Sequence, residues 1–207
     1  MDPTQIIPMT KFEQNNPSSN FDFEQQNRTL FLLQIANSAF PTGTFNHSFG
    51  FETFFSDGTI NDVETFDSMC RDWLVYSVAR SEGIAVAKAC ELAKHYDEDS
   101  LINLDDRISA IKLSKEARRA SFMTGTALLN AFLDIFKIKG LDKFVKAIQN
   151  ETIEGHYCVI FGAICGLKGI PVLDTVLTFL HTSVTSLANV ACRLIPLGQI
   201  ETQKIIA

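Results

Sequence analysis

The chain lacks any close pair of cysteines. Its five, Cys70, Cys90, Cys158, Cys165 and Cys192, stand singly inside apolar, helix-like stretches, and their odd number speaks against a disulfide framework. Reduced, buried thiols of a cytoplasmic protein are the expectation. Positive charge is not in excess either: 18 Lys and Arg against 24 Asp and Glu leave a net of -6, which supplies no field to attract phosphate backbones or anionic lipid. Nucleic acid and membrane are therefore not expected as partners. Residues 1–27 have neither the basic start nor the unbroken apolar run of an export signal. The most membrane-like stretch, residues 172–195, contains Asp174, His181, Asn189 and Arg193, and a charge near mid-bilayer costs about 2.5 kcal/mol or more. That stretch reads as a core helix. Alternating runs between hairpin turns and repeats of fixed period are also missing, which argues against a sheet protein and a solenoid.

What is present is apolar and helical in period. With 207 residues, 46% of them apolar, the chain can enclose one substantial core without staples. Residues 1–28, rich in amide, Ser and Pro side chains, are read as a flexible N-terminal arm before an all-helical domain over 29–207. Leu30, Phe31, Leu33 and Ala36 begin a short helix that Phe40-Pro41-Thr42-Gly43 must end. A second helix is expected over about residues 47–55, with Thr44 or Asn46 as its cap and a stop at Ser56-Asp57-Gly58. Asp62 then caps a run with Phe66, Met69, Cys70, Trp73, Leu74 and Val78 on one face, and Gly83 makes residues 62–95 two helices or one kinked one. Residues 96–100 read as a solvated break, 101–111 are ambiguous, and 113–136 are dense in helix formers. Gly140, Gly155 and Gly169-Ile170-Pro171 separate three further helices over 141–148, 158–167 and 172–194. The fold class is thus all-α, a single-domain bundle of about eight to ten helices with no sheet.

Chemistry-bearing residues are few and poorly placed for catalysis. His47, His95, His156 and His181 join the five cysteines as possible ligands, but none has a partner at chelating spacing. Cys158 and Cys165 share a helix face, yet seven residues place them about 10 Å apart along the axis, so both are assigned to core packing. Gly162 to Gly169 resembles a phosphate-binding loop only superficially, since the spacing is wrong and no hydroxyl follows Lys168. Those glycines are read as permitting close helix approach and then a cap. His47 and Ser48, with Glu52, look like triad material, but neighbouring side chains on a helix diverge by about 100°. No catalytic residue, metal or cofactor is expected. The buried-looking His156, Tyr157 and Cys158 leave open an interior that binds a small molecule.

The remaining unusual segment is residues 40–52, where aromatic rings crowd a Pro/Gly turn and a new helix start. So many rings exceed what capping requires, which suggests a packed corner or an exposed docking surface. Pro41, Gly43, Phe45, His47, Ser48, Gly50 and Glu52 here resemble the signature of the urease accessory protein UreF family. Glu116-Ala117-Arg118-Arg119-Ala120-Ser121 with Gly125, then His156, Gly162 and Gly169, are similar to that family at comparable offsets. The third stretch runs from Ser186 through Arg193 and Pro196-Leu197-Gly198-Gln199 to Gln203, and is similar to the family's long late helix and its exit.

The resemblance implies an all-helical homodimer that is not an enzyme. It implies binding to UreD (also called UreH) and to the GTPase UreG, in a complex that inserts nickel into apo-urease. Metal would then be held by the partners or pass along a water-filled route. By the same resemblance Phe45, His47, Ser48, Glu52, Arg193, Gln199 and Gln203 belong to the partner-binding surface, and His181 to the dimer-forming helix. The structural alternatives are core packing for Phe45 and His181, and for Arg193 a cation facing the helix macrodipole. Relatives continue past the Gln199 region with a further helix and tail that this chain, stopping at Ala207, is expected to lack. The alternative functions are regulation of the UreG GTPase, through Arg or Gln groups at the nucleotide, and a helical small-molecule-binding protein.

Overall fold

The computed structural model of the chain describes residues 23–43, 50–136 and 140–207. Ten α-helices follow one another among the described residues, without a strand. They are α1 (Phe23–Ile35), α2 (Glu52–Ser56), α3 (Val63–Trp73), α4 (Glu82–Lys94), α5 (Glu98–Ile111), α6 (Lys115–Phe136), α7 (Asp142–Gln149), α8 (Tyr157–Leu167), α9 (Val172–Leu194) and α10 (Gln199–Ile206). A π-helical turn, Leu74–Val78, continues α3.

Local chemistry explains most of the boundaries. The Asp62 carboxylate accepts the Thr65 N–H at 2.9 Å, and the Thr65 hydroxyl accepts the Asp62 N–H at 3.3 Å, so α3 starts where its capping residue predicts. The expected interruption near Gly83 is a π turn, closed by the Ala79 N–H on the Leu74 carbonyl, followed by a new helix. The ambiguous segment 101–111 is helical because Asp97 caps it through the Ser100 N–H, and because Leu101, Asp105 and Ile108 recur on its buried side. α1 begins at Phe23, inside the segment expected as an arm, with Glu24 and Arg28 paired one turn apart at 3.3 Å. It also stops at Ile35, before the Pro/Gly turn, because the Asn37 side chain takes the Ala39 N–H at 2.8 Å. Of the second expected helix, Gly50 and Phe51 form a turn and Glu52–Ser56 is helical, while residues 47–49 and the proposed caps Thr44 and Asn46 lie outside the described residues.

The interior divides into two clusters. The larger joins α1 and α4 to α9, with Ala89, Phe161 and Cys165 fully enclosed. At its centre α8 lies against α4 so closely that a Cβ at Gly162 would collide with the Val86 carbonyl, and one at Gly166 with the Cys90 carbonyl. The sequence reading of these glycines as points of close helix approach is correct, and α8 is buried along its length. The smaller cluster joins Phe51, Phe66 and Cys70 to Leu187, Ala191 and Leu197, and so unites α2, α3, the end of α9 and the approach to α10. α9 is long and apolar enough to cross a membrane by length and composition, but Leu187, Ala188 and Ala191 are fully buried in the bundle. It is the core helix its interrupting charges suggested.

Candidate functional site

Two features are built around the N-terminus of α8. The first is a polar network. Asp105 of α5, fully buried, accepts the Gly155 N–H at 2.8 Å and the His156 N–H at 2.7 Å, and so caps α8 from a neighbouring helix. Burial pushes the Asp105 carboxyl up, against the pull of those two backbone donors. The His156 ring, also without solvent exposure, lies 2.7 Å from Ser109 Oγ at Nε2 and 3.1 Å from Ser121 Oγ at Nδ1. Burial first, then the charges of Lys112 and Arg118, lower its pKa to about 4. The imidazole is therefore neutral at pH 7, one nitrogen donating and the other accepting. Glu154 Oε2 is 3.2 Å from Nε2 but without hydrogen-bond geometry.

The second feature is a cavity of about 560 Å³ beside this network. Its walls come from the start of α2, the π turn, the first half of α6, the start of α8 and the middle of α9. Ser121 lines it and passes from the cavity wall to His156. Tyr157 and Cys158 line it too, so two of the three residues read as interior-lining do face an interior space, and His156 is one hydrogen bond behind. Glu82 and Lys112 form an ion pair at 2.5 Å on the same wall. Burial opposes ionisation of Glu82, but the Lys112 charge, with hydrogen bonds from Lys112 and Ser81, overcomes it and holds the carboxyl below its usual range.

The cysteines behave as packing residues. Cys158 and Cys165 are buried, and burial pushes the Cys158 thiol up to about 12 and Cys165 higher still. Cys70 is raised to about 11 by burial and by Asp67, and all five are free thiols. Among the described residues no group of three or more His, Cys, Asp or Glu is placed to hold a metal ion.

Phe45, His47 and Ser48 lie outside the described residues. Glu52 is the first residue of α2, exposed, and lines the mouth of the cavity. Arg193 is exposed in the last turn of α9, and Gln199 and Gln203 are exposed one turn apart on α10. The core-packing alternative for His181 fails, because the side chain is exposed midway along α9. Phe51, next to Glu52, shares the smaller cluster with Ala191, Cys192 and Ile206. The elements carrying Glu52, Arg193, Gln199 and Gln203 are therefore bound to one another through that cluster.

Sequence reasoning missed α10, whose first turn is closed by the Glu201 carboxylate on the Gly198 N–H at 2.7 Å. The glycine followed three residues later by glutamate was a legible start signal. It also missed Asp105 as the partner of the α8 terminus, for which a lone acidic residue on the buried side of a helix was the only sign.

A family model for UreF matches residues 60–207. A urease accessory protein UreF of Lachnoclostridium phytofermentans is 35% identical over 180 residues, covering 87% of this chain and 79% of the relative. Those of Geobacillus kaustophilus and Paenarthrobacter aurescens are 33% and 32% identical over 177 residues each, covering 86% of this chain and 77% of each relative. The chain belongs to the UreF family. UreF proteins are urease accessory proteins, not enzymes, and the resemblance drawn from the Pro/Gly corner and the late helix identified the family correctly.

Proposed function

We propose that this chain is a scaffold for nickel insertion into apo-urease, holding UreD/UreH and the GTPase UreG in one cytoplasmic complex. Membership of the UreF family over residues 60–207 carries this reading. The exposure of Glu52, Arg193, Gln199 and Gln203 on elements locked together by one small core supports their use as a partner-binding surface. Phe45, His47 and Ser48 belong to the same proposed surface by family resemblance. The chain works as a homodimer formed on α9, where Leu173, Leu177 and His181 are exposed at intervals of four residues and make one helical stripe.

Gel filtration of the full chain mixed with UreD and UreG tests the assembly. A co-migrating complex is expected with the unaltered chain and a weakened one with Arg193→Ala combined with Gln199→Ala. Absence of any complex with the unaltered, folded chain overturns the reading. Regulation of UreG turnover is the second reading, favoured by the exposure of Arg193 at the end of α9. Single-turnover hydrolysis by UreG with Arg193→Ala decides it, since an unchanged rate removes that residue from the chemistry.

A further inference from the structure

The cavity beside the α8 terminus has a lining that selects a ligand class. Several of its hydroxyls already direct their hydrogens into the protein. Thr182 Oγ1 donates to the Thr178 carbonyl at 2.7 Å and Ser183 Oγ to the Phe179 carbonyl at 2.9 Å. Ser114 Oγ donates to Glu116 Oε2 at 2.9 Å. Each of these oxygens keeps lone pairs and has no hydrogen left to give, so towards the cavity it can only accept. Three carboxylates, Glu52, Glu82 and Glu116, face the same space against a single ammonium, Lys112, among the described lining residues. Lys112 is already paired with Glu82, and the pair is largely shielded from solvent, with side-chain exposures of 13% and 23%. The same lining includes the aromatic side chains of Trp73 and Phe179.

The acceptor-only hydroxyls of Ser114, Thr182 and Ser183 and the excess of carboxylates over ammonium in the lining would leave an anion or an apolar group with unpaired partners at those positions, and favour a group rich in N–H donors. Aromatic faces favour a planar, weakly hydrated cation among these. The volume is in the range of small-molecule sites, about 300 to 1,000 Å³. We propose that this cavity is a binding site for a donor-rich organic cation, a guanidinium or alkylammonium group on a short apolar chain. Such a group has two sources, a free small molecule or an arginine or lysine side chain of a partner protein. In either case Glu52 and Glu116 contact it at the mouth, and the apolar chain lies against Trp73 and Phe179.

The test is calorimetric titration of the full chain with agmatine, which carries a guanidinium and an ammonium on an aliphatic chain. 4-Methylpentanoate serves as an anion of similar bulk. Saturable binding of agmatine is expected, with none of the anion. Glu52→Gln combined with Glu116→Gln changes two exposed positions, leaves the fold intact and is expected to weaken agmatine by about tenfold. Ala120→Phe, which fills the cavity, abolishes binding. Failure of the folded chain to bind agmatine at millimolar concentration overturns the proposal. Equal binding of the anion, or binding that survives both variants, does the same. Gel filtration with UreD and UreG in saturating agmatine separates the sources: a displaced partner identifies a partner side chain, and an unaffected complex identifies a free molecule. Because the titration uses the chain alone, its outcome is independent of whether the complex forms.

Discussion

The two cores of the molecule are held by different means. In the larger, α8 approaches α4 at backbone distance, with glycines at 162 and 166 facing Ala89 and Ala93 and no room for added side chains. In the smaller, rings do the filling: Phe51 meets Trp73 edge-on at 5.8 Å between centroids, and Phe55 meets Phe66 at 6.1 Å. Small residues give an interface whose tolerance is set by backbone contact, whereas aromatic clusters can repack around lost volume. None of the described residues proposed for the partner surface lies on the close-packed unit. The aromatic one carries Glu52, Arg193, Gln199 and Gln203 on its outer side. Rigidity and the surface proposed for partners thus belong to neighbouring but distinct packing units that share α9.

The largest expected effect breaks the close-packed unit. Gly166→Leu forces a side chain into the Cys90 carbonyl, and overpacking against backbone should cost about 3 kcal/mol or more. Urea unfolding followed by circular dichroism checks this. A cost below about 1 kcal/mol would show that α4 and α8 can separate freely, and the contrast between the units would fail.

Acid should act next most strongly, through His156. Its pKa falls from 6.5 to about 4 on folding. Between those values the unfolded chain binds the proton and the folded chain does not, so stability is present above pH 6.5 and is lost as pH falls towards 4. The loss should reach about 2 to 3 kcal/mol. Asp105 acts with the opposite sign, because its raised pKa makes the folded state hold a proton more tightly as pH falls. Urea melts at pH 7 and pH 5 should show the His156 loss in the parent and a flatter profile in His156→Gln. An equal slope in both chains would remove the imidazole from the acid response.

In the aromatic unit the smaller volume change of Phe51→Leu should cost about 1 kcal/mol. Trp73, the one tryptophan in the sequence, lies edge-on to Phe51 and packs against both clusters, so its fluorescence reports the aromatic unit and its junction with the larger one while circular dichroism reports the whole bundle. Coincident transitions by the two probes would mean that the units unfold together. A fluorescence transition at lower urea would separate them.

How much of this was legible in the sequence follows from the range of the interactions. Asp62, the glycines between helices and Pro171 act within a few residues, and they mark α3 and α6 to α9 nearly to the residue. The glycines of α8 were also readable, because spacing of four on an apolar helix has few other uses. The cap of α8 was not: Asp105 reaches Gly155 and His156 across 50 residues of sequence, and no local pattern encodes that pairing. The cavity was legible only in part, since Tyr157 and Cys158 are adjacent in sequence while Glu82, Lys112 and Thr182 meet them through tertiary packing alone. Family resemblance supplied the proposed partner surface, where composition and periodicity were silent.

The smallest effect on stability should come from the surface that matters most to the proposed function. Arg193 and Gln199 are exposed at the end of one helix and the start of the next, and replacing exposed side chains usually changes stability by no more than about 0.5 kcal/mol. If Arg193 acted chiefly as a cation against the α9 macrodipole, Arg193→Ala would lower stability by about 0.3 to 1 kcal/mol and leave assembly with UreD and UreG unchanged. If it serves a partner, the order reverses: unfolding midpoints stay in place while the complex on gel filtration is weakened. Measuring both on the same variant separates the two roles, because one is read in the isolated chain and the other only in the mixture.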